Sequence, residues 1–147
     1  SNSRLLISEI LRKVSNAKTK KEKVDLLKKH NSTALRQLMV INFDESIVSE
    51  LPEGEVPYTP NDAPVGTDHT RLESEYKGLY RFFKGGDPRL KSLKRESMFV
   101  QLLEGLCAEE AELLCLVKDG KLGDKYKRIT KAVISEAYPS IEWGGRS

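Results

Sequence analysis

Residues 3–15 read SRLLISEILRKVS. Within them Leu6, Ile7, Ile10, Leu11 and Val14 recur at three- and four-residue intervals, which gathers them on one stripe of an α-helix and scatters them over both faces of a strand. The same period recurs downstream. After the break at Asn16-Ala17-Lys18, Thr19 with Glu22 forms a Thr-x-x-Glu capping box and opens a second helix through Lys29, with Val24, Leu26 and Leu27 apolar. His30-Asn31 ends it. Ser32 caps a third helix over about 33–42, where Leu35, Leu38, Met39 and Asn42 keep helical spacing.

Residues 43–68 break the pattern. Pro52, Pro57, Pro60 and Pro64, with Gly54 and Gly66, forbid a continuous helix or a central strand. The segment reads as a long connector or as an arm that orders on a partner, with Val56, Tyr58 and Val65 as its apolar contact residues. Beyond it, Leu72, Tyr76, Leu79, Tyr80 and Phe83 predict a helix over about 69–84, stopped by Gly85-Gly86. Asp87-Pro88 then supplies an N-cap and a first-turn proline for a helix to about 105, carrying Leu90, Leu93, Phe99, Leu102, Leu103 and Leu106. A helix over about 108–118 places Glu109, Glu110 and Glu112 near its positive end and Ala111, Leu114, Cys115 and Val117 inward. Thr130 caps a last helix through Ala137 with Ile129, Val133, Ile134 and Tyr138 buried, and Gly144 onward is expected to fray.

The expectation is an all-α fold: a compact bundle of about six or seven short helices in a single domain over 3–143. It comprises a three-helix part (about 3–42), the Pro-rich connector (about 43–68) and a C-terminal helical part (about 69–139). At 147 residues the chain is long enough to bury a core without metal or disulfide support. Ser1-Asn2 reads as the remnant of a processed tag. No apolar run approaches the ~20 residues needed to cross a bilayer, and no signal peptide is visible. Cys107 and Cys115, if on one helix, lie about 12 Å apart, beyond disulfide reach. They read as small buried side chains of a reducing cytoplasmic compartment.

A net charge of +3 is modest, but it is distributed in blocks. Residues 12–29 carry eight Lys or Arg against two acids, and residues 42–76 carry nine acids against Arg71. Residues 77–95 are basic again, 96–119 acidic and 121–131 basic. Such blocks attract one another on a folded surface, or they merge into a single phosphate-binding patch.

In the C-terminal half, Phe99-Val100-Gln101-Leu102-Leu103-Glu104-Gly105-Leu106 is followed by Ala111-Glu112-Leu113-Leu114 and Lys118-Asp119-Gly120-Lys121-Leu122. Tyr126-Lys127 and Ile129-Thr130-Lys131 then lead into Glu136-Ala137-Tyr138-Pro139. Over about 96–139 this resembles an uncharacterised family of small helical proteins from contractile-tailed bacteriophages, many infecting marine bacteria. The resemblance implies a phage protein at work in a host bacterial cytoplasm. It carries no assigned activity, cofactor or site residue.

The chemistry-bearing residues form no catalytic motif. His30, His69, Cys107 and Cys115 are the only soft ligands and lack the close spacing of a zinc site. Lys84-Gly85-Gly86-Asp87 has neither P-loop nor dinucleotide spacing. No nucleophile elbow appears. No cofactor, metal or catalytic residue is expected, and two binding roles follow. The first is a non-enzymatic adaptor or modulator docking a protein partner through the 43–68 segment or an apolar helix groove. The alternative is a nucleic-acid-binding accessory factor using Lys18, Lys20, Lys21 and Lys23 together with Arg81, Lys84, Arg89, Lys91, Lys94 and Arg95, where Tyr80, Phe82 and Phe83 would stack on bases. Interlaced charges on the folded surface favour the first, and one merged basic face the second. An uncovered apolar stripe would also allow self-association.

Overall fold

Helix α1 forms over Ile7–Asn16 because its apolar stripe has a core to face: Leu6, Ile7, Ile10, Leu11 and Val14 are all buried. Its carbonyl end is closed from a distance. The Lys23 ammonium, buried on α2, donates to the carbonyls of Val14, Ser15 and Ala17 at 3.0, 3.1 and 2.6 Å, satisfying groups the helix cannot satisfy itself. Helix α2 (Lys20–Lys29) opens with the expected capping box, Glu22 N–H donating to Thr19 Oγ1 at 3.1 Å and Thr19 N–H to Glu22 Oε1 at 3.3 Å. In helix α3 (Thr33–Phe43), Leu35 N–H donates to Ser32 Oγ at 3.1 Å, and Leu35, Leu38 and Met39 are fully buried.

The computed structural model describes residues 5–64 and 69–146. Beyond the connector the elements are a single helical turn α4 (Leu72–Glu75), a 3-10 helix over Tyr76–Phe82, α5 (Ser92–Gly105), α6 (Ala108–Lys118), a short 3-10 turn over Leu122–Asp124, and α7 (Lys131–Ala137). Helix α2 packs between α1 and α7, and α3 lies against α6, α4 and the longer 3-10 helix. One continuous core joins side chains from α1 through Tyr138. It includes an edge-to-face pair, Phe82 on Phe99, with ring centroids 5.1 Å apart, an arrangement worth about 1 kcal/mol beyond the area it buries. The fold is all-α; among the described residues β-structure is limited to isolated bridges.

Three expectations are corrected. Residues 69–84 are not one α-helix, since after α4 the chain tightens to three residues per turn. That period aligns Tyr76, Leu79 and Phe82. Phe82 is therefore core, and Tyr80, expected to be buried, is 56% exposed. Asp87-Pro88 does not start α5. The Arg95 guanidinium, buried within that helix, holds the preceding loop by donating to the carbonyls of Arg81, Asp87 and Leu90 at 2.9, 3.2 and 2.8 Å. The helix begins at Ser92, with Leu93 81% exposed. Of the two readings of the 43–68 segment, its described part fits the connector. Leu51 is buried, Val56 and Tyr58 are half-buried against the core, and Lys118 Nζ donates to the carbonyls of Pro52 and Gly54 at 2.9 and 3.3 Å. Val65 lies outside the described residues. Residues 144–146, expected to fray, are fastened by Asp44: Gly144 N–H reaches Asp44 Oδ2 at 2.8 Å, and Arg146 pairs with the same oxygen at 2.6 Å.

Glu110, expected to serve only the dipole of its own helix, is fully buried. Its two oxygens accept the N–H of Ile7 at 3.0 Å and of Leu72 at 2.9 Å, capping α1 and α4 at once. Burial pushes its pKa up, opposed by those two amides and by Arg71. Glu110→Ala would orphan both amides in the core. The expected cost is about 3 kcal/mol, read as a lower urea midpoint at unchanged slope.

Candidate functional site

A groove of about 660 Å³ opens between α3, the 3-10 helix and the C-terminal tail. Gln37 and Ile41, one helical turn apart on α3, form one side, and Ile47 extends it. The opposite side is built by the 3-10 period. Residues 76, 79 and 82 form the inward row, and the neighbouring row, Lys77, Tyr80 and Phe83, turns to the groove. Lys84, Gly85 and Gly86 close one end, and Arg146 comes in from the tail. The floor is aliphatic and the walls aromatic. Lys77, Lys84 and Arg146 supply positive charge, and among the described residues no carboxylate, histidine or cysteine lines the groove.

The 83–86 turn is held in two ways. Glu50 N–H donates to the Phe82 carbonyl and Lys84 N–H to the Val48 carbonyl, both at 2.8 Å, pairing the turn antiparallel to residues 48–50. Gly86 N–H closes on the Phe83 carbonyl at 3.0 Å. The chain passes so close to itself that a Cβ on Gly86 would lie 1.9 Å from the Tyr80 carbonyl oxygen. Tyr80 itself projects outward with the Arg81 guanidinium 5.9 Å from its ring centroid.

The tail wall depends on Asp44. Burial alone would raise the Asp44 pKa. The Ser46 hydroxyl, the Gly144 and Ser46 amides and the Arg146 guanidinium overcome that and hold the carboxyl well below the usual carboxylate range. Just before this clamp, Trp143 donates from Nε1 to Ser135 Oγ at 3.1 Å, and the Lys131 ammonium sits 4.9 Å over its ring.

The ten basic residues proposed for nucleic-acid contact do not act alike. Lys23 and Arg95 are buried and spent on backbone carbonyls. Lys18, Lys20 and Lys21 are exposed on or beside α2, with Lys20 paired to Glu136 of α7 at 3.1 Å and Lys21 to Asp25 at 2.8 Å. Arg81 is half-buried, its Nε donating to the Gly78 carbonyl at 2.9 Å. Lys84, Arg89, Lys91 and Lys94 are exposed, and of these Lys84 reaches the groove. Charge blocks also pair with one another: Arg12 with Glu109, and Lys125 with Glu112. Exposed pairs of this kind are worth at most about 1 kcal/mol each, but they interlace the surface charge.

Among the described residues no three His, Cys, Asp or Glu side chains gather where they could hold a metal ion. Cys107 and Cys115 are free thiols whose pKa values burial pushes up, that of Cys115 to about 11. Both are therefore held as thiols and not as reactive thiolates. His30 is half-buried at the end of α2, its pKa lowered by burial and by Lys29 and Lys13. Among the described residues no helix is long and apolar enough to cross a membrane. The sequence marks Tyr80 as a candidate stacking residue, but the place of the groove beside it follows from the 3-10 period of 76–82, which the α-helical spacing of 69–84 does not reveal.

Two outcomes follow from this geometry. Gly86→Ala forces the turn away from Tyr80 and is expected to cost about 2 kcal/mol, with a matching drop in melting temperature. Asp44 holds its proton less readily folded than unfolded, so its stabilisation is present above about pH 4 and is lost as pH falls below that value. Asp44→Asn at neutral pH, or acidification of the unaltered chain, should release the tail. The readout is a red-shifted emission from Trp143, the sole tryptophan, with helical circular dichroism retained. An unshifted Asp44→Asn spectrum would mean that other contacts hold the tail.

Over residues 10–124 the chain matches a family described as a family of unknown function, DUF6433. No curated protein and no solved structure matches it. The matched span runs from α1 through the Leu122–Asp124 turn and includes every groove-lining residue except Arg146. It covers well over half of the chain, which therefore belongs to the DUF6433 family of unknown function.

Proposed function

We propose that the chain works by binding and not by catalysis, as an adaptor or modulator that docks a partner protein in the groove between α3 and the 3-10 helix. The observation that carries this reading is Tyr80: a large aromatic side chain, 56% exposed, beside an apolar hollow. Exposed aromatics next to unfilled apolar space are the anchors around which protein interfaces concentrate their binding energy. The described lining of the groove offers contact surface and positive charge, and among the described residues no acid–base or nucleophile pair. The interlaced pairs Arg12–Glu109, Lys20–Glu136 and Lys125–Glu112 favour this reading over a merged phosphate-binding face. If the resemblance of residues 96–139 to contractile-tailed phage proteins reflects origin, the partner belongs to host or viral machinery in a reducing bacterial cytoplasm.

A second reading has one observation in its favour. Tyr80 carries Arg81 against its ring and stands near Lys77 and Lys84, an arrangement on which an unpaired base would stack.

The test is affinity capture with purified full chain, Tyr80→Ala and, as control, Leu93→Ala, whose side chain is exposed away from the groove. A protein retained by the unaltered chain and by Leu93→Ala should bind Tyr80→Ala at least about tenfold more weakly. Equal retention by all three would remove the groove from the docking role. A nuclease-sensitive species lost on Tyr80→Ala and released by salt would select the second reading.

A further inference from the structure

We infer that the groove is specific for an acidic segment of its partner: a short run in which Asp or Glu residues flank one or two large apolar anchors. This rests on the docking role proposed above and adds the chemistry of the occupant. Charge complementarity carries it. Among the described residues, three cations line the groove and no carboxylate does. Arg146 is already engaged by Asp44. Lys77 and Lys84 are exposed and, among the described residues, enter no ion pair.

The two halves of the site do different work. Ile41, Ile47 and Leu79, walled by Tyr76, Tyr80 and Phe83, form a surface that gains only from an apolar side chain, because a polar group placed there loses its water without a partner. Lys77 and Lys84 stand at the wet edge, where a carboxylate on either side of that anchor speeds encounter and fixes orientation, and a basic segment is repelled. A nucleic-acid strand fits less well. Phosphates are tracked by a long row of cations, whereas here Lys23 and Arg95 are withdrawn into the fold and Lys20 and Lys21 are paired with Glu136 and Asp25. Among the described residues, the acidic part of the connector is fastened away from the groove, through Lys118 to the carbonyls of Pro52 and Gly54 and through Glu104 to the Thr59 amide at 2.9 Å.

The test is selection from a displayed library of random peptides about twelve residues long on the full chain, with Tyr80→Ala as counter-screen. Both Lys77→Glu and Lys84→Glu alter exposed side chains and leave the core intact. Selected peptides should carry Asp or Glu beside Leu, Phe or Trp, and should bind the Lys77→Glu/Lys84→Glu double variant at least about tenfold more weakly, with affinity falling as salt rises. Neutral or basic peptides that depend on Tyr80 but ignore the double variant would overturn the acidic specificity and leave the docking role standing. If no selected peptide depends on Tyr80, the docking role itself fails. Oligo-dT bound more tightly than any selected peptide, and lost on Tyr80→Ala, would overturn both.

Discussion

The carboxylate of Glu110 is the joint on which the arrangement turns. It has no exposure to water, an unfavourable position for a charge, and it is tolerated because each oxygen receives an otherwise orphaned amide. Ile7 and Leu72 stand 103 and 38 residues away in sequence. One side chain on α6 thus fixes where α1 begins and where α4 begins, across a connector that has no regular structure to do so. Because α4 runs directly into the 3-10 helix, the point at which Leu72 is held also sets which residues of 76–83 face inward. The groove is a downstream consequence of that register.

Three buried cations play the complementary part. Lys23, Arg95 and Lys118 each direct their charge onto backbone carbonyls: the end of α1, the loop before α5, and the connector at Pro52 and Gly54. In each case a long aliphatic stem lies in the core while the charged head satisfies acceptors that secondary structure leaves open. They replace the hydrogen bonds a sheet or a longer helix would have supplied. This is how a chain with a Pro-rich middle keeps its described loops attached to a helical body.

The groove exists because helical period changes within a few residues. An α-helix over 69–84 would have put Tyr80 beside Leu72, Tyr76 and Phe83 on one buried face. The tighter turn sends Phe82 against Phe99 instead and leaves Tyr80 outside. Gly86, pressed against the Tyr80 carbonyl, and the pairing of residues 82 and 84 with 48 and 50 hold the change in place. Asp44 then adds the tail as a further wall, so the site draws on α3, the connector, the 3-10 helix and the last described residues.

The sequence by itself determined the helices whose signals are local. The stripe of α1, the Thr19–Glu22 box and the Ser32 and Thr130 caps all lie within a few residues of the structure they specify, so the all-α class and most helix boundaries were legible. It also located the connector, because four prolines spaced through 43–68 exclude a continuous helix or a central strand there. Tertiary structure alone decided the rest. Asp87-Pro88 carries a strong local start signal, yet Arg95 holds that segment as a loop. Glu110, Lys23 and Asp44 look like surface charges in any window of sequence and become buried joints only when distant amides and carbonyls arrive. The period of 76–82 was settled by which aromatic side chain could reach Phe99. Local patterns fix how a segment hydrogen-bonds with itself. The partners of a buried charge, and the side of a short helix that meets the core, depend on residues too far along the chain for any local pattern to reveal.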